Sequence, residues 1–417
     1  MPYLAALVLV LSVPMIFRAL RFALVRASCS RPLPASVAGL YPPEACERWL
    51  SFRKKDSGFR LLCAFADMLL YILCVCAAFL VPWHIPDNIW MFILAPAVIC
   101  VIMRIITVPV HYYEEIILRR KYGLRTKSKA DFRREEAFLS LMMFLLASLG
   151  SFLLYLCFFR TADNRTAVLL SRPSAVPFVL GGLCLSLLLN LILPIVRGLI
   201  YNPVPLQDED LRKKLETLSA QLDFRGKITA AMETGADSVK AFYTPVGNQI
   251  VLCRGLFEHL SADEICGVAA HEIGRAKHGE FFRNLIGSCL LAVVGSLAFW
   301  TQIHYVLTHP VPGPDTMIPV PEAFLLFFSM LLFIPVSLIL MRLQSRQNEY
   351  RADRAASESG NGENLISALK TASRLDFEDL SPHPLLTALY ADRPPLYRRI
   401  ERIRARRFSN ASRRPLI

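Results

Sequence analysis

Residues 261–278 read Ser-Ala-Asp-Glu-Ile-Cys-Gly-Val-Ala-Ala-His-Glu-Ile-Gly-Arg-Ala-Lys-His. Ser261 and Glu264 form a capping-box pair, serine and a glutamate three residues on satisfying each other's backbone donors, so a helix is predicted to begin there. It runs through Ile265, Val268 and Ala269 to His271 and Glu272, and on towards the next apolar run. In zinc peptidases the pattern His-Glu-x-x-His sets two imidazoles one turn apart, about 6 Å along the axis, close enough to share one ion. Here the fifth position is Arg275. A guanidinium keeps its proton at physiological pH and repels a metal cation. His278 is no substitute on an unbroken helix, because seven residues separate it from His271 by about 10.5 Å.

A second polar stretch, Asn348-Glu349-Tyr350-Arg351-Ala352-Asp353, follows the last apolar run and is predicted to continue its helix. Glu349 and Asp353 are four apart and share a helical face, which suits a ligand glutamate and an acid that orients a ligand histidine. Either stretch alone is commonly a solvated helix face. Both together, flanking consecutive apolar runs, point to one site.

The runs are the dominant feature of the remainder. Of 417 residues 54% are hydrophobic and only 19% charged, below the roughly quarter usual in soluble domains. Seven segments are long enough to cross a bilayer: Tyr3 to Phe22, Leu61 to Trp83, Ile89 to Val110, Ala137 to Phe159, Val176 to Ile200, Leu285 to His309 and Ala323 to Met341. The first is followed by Arg18, Arg21 and Arg26 without a small-residue cleavage site, and reads as an anchor. Lysine and arginine crowd the connections after runs one, three, five and seven and are absent from those after two and six. By the positive-inside rule the amino terminus lies outside and the carboxyl terminus in the cytosol, with the loop of Arg160, Arg165 and Arg172 mildly discordant. The net charge of +13 is therefore mostly an orientation signal, and no nucleic-acid partner is expected. The 11 cysteines sit largely inside apolar runs, as small hydrophobes and not as a disulfide framework.

The expected organisation is four-part: 1–200 with five transmembrane helices, 201–284 as a first cytosolic part, 285–341 with helices six and seven, and 342–417 as a second cytosolic part. Short strands are predicted at Lys227 to Met232, Val239 to Thr244 and Gln249 to Cys253, the last two joined by a turn containing Pro245, Gly247 and Asn248. The fold class is mainly α, with an α+β cytosolic domain split by the last two spans.

These motifs, with Tyr122-Gly123, Asn202 to Leu206, Ile250-Val251-Leu252 and Pro394-Pro395-Leu396 followed by Arg398 or Arg399, resemble the integral-membrane CAAX prenyl endopeptidases of type 1, zinc metalloproteases of the gluzincin kind. The resemblance covers about Tyr41 to Ile403 and implies seven helices around a wide chamber, with zinc near its cytosolic end. It makes His271 and Glu349 zinc ligands, Glu272 the base that activates a metal-bound water, and Asp353 the group that orients His271. It also implies that the strand Lys240-Ala241-Phe242-Tyr243, where the family has Asn-Ala-Tyr-Phe, flanks a peptide, and that Arg393 replaces a transition-state histidine. Three positions have thus become basic. Without an ion, Glu272 and Glu349 would be close unpaired carboxylates, so Arg275 is expected to pair with both. The sequence leaves two readings: a membrane metalloendopeptidase acting on a peptide or lipidated peptide, or a non-catalytic chamber binding a peptide, lipid or anionic ligand. A transporter is disfavoured by the lack of repeats. The membrane, bacterial inner or endoplasmic reticulum, is not distinguished.

Overall fold

The computed structural model describes residues 2–80, 89–124, 126, 128–159, 175–201, 203–231, 239–245, 247–308 and 320–411. Its amino-terminal half consists of α1 (Pro2–Ser28), α2 (Pro43–Leu80), α3 (Ile89–Tyr112), a π-helical turn (Tyr113–Leu118) running into α4 (Arg119–Lys121), α5 (Lys129–Phe159) and α6 (Ala175–Tyr201). Then come α7 (Glu209–Gln221), β1 (Lys227–Ala231), β2 (Ala241–Thr244), β3 (Gln249–Cys253), α8 (Arg254–His259), α9 (Ala262–Lys277) and α10 (Glu280–Thr308). The chain closes with α11 (Val320–Glu358), α12 (Gly362–Asp376), α13 (Pro384–Tyr390) and α14 (Leu396–Ala411).

Each of the seven apolar runs falls in a helix, in α1, α2, α3, α5, α6, α10 and α11; residues 81–83 and 309, predicted to end two of them, lie outside the described residues. Within the described residues, two helical segments are by themselves long and apolar enough to cross a membrane, Lys129–Phe152 and Glu280–Gln302. Small and polar side chains hold these helices together. Asn190 Nδ2 of α6 donates to Ser288 Oγ of α10 at 2.8 Å, and Gly182 lies so close to α10 that a Cβ there would collide with Ser296 Oγ. Arg104 of α3 reaches Glu136 of α5 at 2.8 Å.

The sheet has the order β1-β3-β2, with β1 parallel and β2 antiparallel to β3. The predicted turn is present: Asn248 donates its N–H to the Pro245 carbonyl at 3.2 Å, and Gly247 takes φ +83° as glycine readily does. β2 is shorter than predicted at its start, since Val239 and Lys240 precede it; Met232, predicted to end β1, lies outside the described residues.

One hydrophobic core joins segments far apart in sequence: Leu215 of α7, Leu252 of β3, Ile273 of α9, Ala356 of α11, Leu365 of α12 and Ile400 of α14. Val37, Tyr41 and Trp49, from the chain between α1 and α2 and the start of α2, join the same core. Tyr41 donates its hydroxyl to the Ser373 carbonyl at 2.9 Å, and the Trp49 indole N–H donates to that of Phe377 at 3.0 Å.

Two glycines set how closely the site helices approach. A Cβ on Gly274 would meet Ala355 Cβ at 2.5 Å, and one on Gly267 would meet the Leu365 backbone at 2.5 Å. α9 is therefore pressed onto α11 on one side and α12 on another. The expected continuation of α9 into α10 does not occur. Gly279 adopts φ +60° between them, ending the first helix and restarting the second at Glu280.

Candidate functional site

The capping box forms as expected: Ser261 Oγ accepts from the Glu264 N–H at 3.3 Å, and Glu264 Oε2 accepts from the Ser261 N–H at 2.8 Å. With its start fixed, α9 carries His271 and Glu272 on its buried side, where Gly274 permits contact with Glu349 and Asp353 on α11. The four side chains selected from two distant stretches are brought together. His271 Nε2 is 3.6 Å from Glu349 Oε2, and His271 Nδ1 is 3.0 Å from Asp353 Oδ1, although this last contact is not aligned as a hydrogen bond.

Asp353 is gripped by Arg399 of α14, whose Nε and Nη2 donate to its two oxygens at 2.9 and 2.6 Å. Arg399 Nη1 also reaches Glu349 Oε2 at 3.2 Å. All three side chains are at most 7% exposed. Burial pushes the Asp353 and Glu349 carboxyls up, but the Arg399 charge, with help from His271, outweighs it and holds both below their ordinary range. Burial tends to lower Arg399 in turn, and Asp353 and Glu349 raise it above its ordinary value.

Arg275 occupies the other side. Its Nη1 lies 3.3 Å from Glu272 Oε1 and 3.9 Å from Glu349 Oε1, the two carboxylates it was expected to neutralise. Its tightest partner was not foreseen: Glu280 accepts from Nε and Nη2 at 2.7 and 2.8 Å. On an unbroken helix a residue five positions on would be displaced around the axis, and the bend at Gly279 permits the return. The field of Glu272, opposed by burial and reinforced by Glu280 and Glu349, raises Arg275 well above its ordinary value. The second oxygen of Glu272 accepts the Tyr243 N–H of β2 at 3.2 Å.

Arg393 approaches Glu349 Oε1 to 3.9 Å from a largely exposed position. Lys240 is exposed at the start of β2, and its carbonyl accepts the Cys253 N–H at 3.0 Å. Because β2 is an edge strand and the Tyr243 N–H turns away from β3, the amide of Ala241 two residues earlier lies on the same free edge. His278 lies outside the cluster, in a separate cleft of about 250 Å³ beside Gln221, Lys277 and Glu358.

Two regions of the chain match known families: residues 24–197 match the CAAX prenyl protease N-terminal region with five membrane helices, and residues 205–407 match peptidase family M48. The chain belongs to the CAAX prenyl protease family of M48 peptidases. It is thus an integral-membrane member of a hydrolase family of metalloproteases. Its relatives include CAAX prenyl protease 1 of Saccharomyces cerevisiae, 25% identical over 71% of this chain and 68% of that one. The CAAX prenyl protease 1 homolog of Arabidopsis thaliana is 28% identical over 53% of each chain. Protease HtpX of Legionella pneumophila is 27% identical over 36% of this chain and 54% of that one. The chain thus spans about half the length of the latter two. The crystal structure of S. mikatae Ste24p shares the fold, with TM-score 0.72 over 97% of this chain and 99% of that one at 19% identity.

The family implies zinc, and the donor set can be tested against it. Catalytic zinc sites take three protein ligands. His271 and Glu349 supply two, Arg275 stands at the third position, and both Glu349 oxygens face guanidinium groups. Among the described residues no group of three His, Cys, Asp or Glu side chains is arranged to hold a metal. The residues do not fit the ion.

Proposed function

We propose that this chain is a membrane-embedded member of the CAAX prenyl protease family in which an arginine-centred ion-pair cluster replaces zinc, and zinc-dependent peptide hydrolysis is lost. The observation that carries the reading is Arg275, clamped by Glu280 and set against Glu272 and Glu349. The ion pairing supports it. Four carboxylates, those of Glu272, Glu280, Glu349 and Asp353, face three guanidiniums, those of Arg275, Arg393 and Arg399. Removing Arg275 would deepen that deficit of positive charge, of the kind a divalent cation fills. Glu272 is also unsuited to act as a base, because one oxygen faces Arg275 and the other accepts the Tyr243 N–H.

What remains is a binding site. The outer edge of β2, where the Tyr243 N–H is held by Glu272 and the Ala241 amide lies next in register, suits an extended peptide; with Lys240 preceding the strand and Arg393 beside Glu349, the ligand we infer is a peptide with anionic character. The wider frame belongs to the same proposal: seven spans around a chamber, with residues 201–284 and 342–417 forming one domain on the cytosolic side.

Zinc content decides the reading. The detergent-purified chain, after removal of loosely bound metal, is expected to hold far less than one zinc per chain, whereas Arg275→His is expected to approach one. Near-stoichiometric zinc in the unmodified chain would overturn the proposal.

A further inference from the structure

His278 and the arginines around it take no part in the buried cluster. They lie where the turn after α9, the first turn of α10 and the stretch of α11 around Asn348 come together. Arg283 of α10 donates from Nε and Nη2 to Asn348 Oδ1 at 3.2 and 3.0 Å, and from Nη1 to the His278 carbonyl. Arg351, one turn beyond Asn348 on α11, aims Nη1 at the same Asn348 oxygen from 3.5 Å. The two guanidiniums therefore share one acceptor, and the gap between these nitrogens cannot exceed the sum of their distances to it.

That acceptor is neutral and overcommitted. An amide oxygen has two lone pairs, and three N–H groups from two cations converge on this one. The Arg351 contact is the longest of them and leaves its guanidinium nearly uncommitted. Asn348 cannot turn to ease the crowding, because its Nδ2 donates to Asn284 Oδ1 at 3.0 Å, an oxygen that also accepts from Gln344 Nε2 at 3.0 Å. The nearby carboxylates are spent. Glu280, three residues before Arg283, has both oxygens on Arg275, and Glu358 holds Arg354 at 2.6 Å.

Among the described residues neither Arg283 nor Arg351 forms an ion pair. Two like charges held close without a counter-charge repel each other, and an anion relieves the repulsion. His278 lies in the same field: burial, then the charges of Arg283, Arg351 and Arg354, lower it from its ordinary value, against Glu358. Arg351 and His278 are exposed and Arg283 is half-buried, so a small solute can reach the place.

We propose that Arg283 and Arg351 bind a dianion of the phosphate class between α10 and α11, beside His278. Two uncompensated positive charges match a dianion better than a single carboxylate, and guanidinium forks pair their N–H groups with tetrahedral oxyanions. The bound ion ties the first turn of α10 to α11 next to Glu349, and so steadies the helix pair that carries Glu280 and Glu349. The site stands apart from the Arg275 cluster, and the zinc test reads the same whether or not it exists.

The test is equilibrium dialysis of the full detergent-purified chain against radiolabelled inorganic phosphate, with ionic strength held constant by chloride. Saturable uptake of about one phosphate per chain is expected, displaced by sulfate and far less well by acetate. Arg351→Gln should weaken it by about tenfold or more, the usual worth of one hydrogen bond to a charged group. Arg351 is exposed and its contact long, so this variant should keep the fold, which an unchanged unfolding temperature in chloride checks. Arg351→Lys keeps the charge without the fork and should bind with intermediate strength. Arg374→Gln with Arg398→Gln removes two exposed charges from α12 and α14 and should leave uptake unchanged. The site is overturned by the absence of saturable uptake, by undiminished uptake in Arg351→Gln, or by equal weakening in the control pair, which would mean diffuse attraction. Displacement by acetate as effective as that by sulfate would overturn it too.

Discussion

The two sides of the site meet at Glu349 and differ in how they are built. On one, Asp353 and Arg399 form a dry, bidentate pair beside His271, at most 7% exposed. On the other, Arg275 is a quarter exposed and its charge is shared among Glu272, Glu280 and Glu349. The dry side closes Asp353 and Arg399 against His271. On the wetter side Arg275 stands four residues beyond His271, and under the proposed function this is where an ion pair takes the place of the metal. A charge introduced there keeps part of its hydration, so the cost of burying it is lower than on the dry side.

The largest effect that sharpens this contrast is expected at Arg399. Arg399→Ala leaves Asp353 buried and unpaired and should cost about 3–5 kcal/mol, read from thermal or denaturant unfolding. Arg275→Ala should cost less, about 1–3 kcal/mol, since water reaches the site and partly compensates. Equal losses in the two variants would break the distinction between the sides.

Between these lies the helix crossing that holds both sides together. Gly274→Val forces atoms into Ala352 and Ala355, and should destabilise by about 1–3 kcal/mol while moving α9 from α11. In the Arg275→His background the same change should also lower zinc uptake, because His271 and Glu349 no longer converge. Undiminished zinc in the double variant would show that the crossing does not set the site.

The smallest effect lies at the start of α9. Ser261→Ala removes one half of the capping box and should cost about 1 kcal/mol. Glu264 is held below its ordinary value: burial raises it, but the Ser367 hydroxyl and the Ser261 N–H outweigh that. A depressed carboxyl contributes stability above its unfolded value near 4.5 and loses it as pH falls through the lower folded value. The cost of Glu264→Gln, which removes the titrating carboxylate, should therefore be full at neutral pH and shrink in acid, and a cost that grows in acid would exclude the capping account.

Much of this was legible in the linear chain. Apolar run length gave the helical frame, because a bilayer-spanning helix satisfies its backbone internally and must be long and apolar. The capping box and the spacing of Glu349 and Asp353 followed from local rules, and Arg275 as an ion-pair partner of Glu272 followed from the cost of unpaired buried carboxylates. Glu280 was hidden, since its approach depends on a helix break at a glycine whose positive φ no periodicity reveals. Arg399 stood in a recognised motif, yet its role as the bidentate partner of Asp353 arises only when α14 packs on α11. The sequence by itself determined which residue types exist to bind a metal or exclude it, because ligand chemistry is a property of side chains. The tertiary structure alone decided which charges meet, because pairing between segments tens of residues apart is set by how closely the helices can pack.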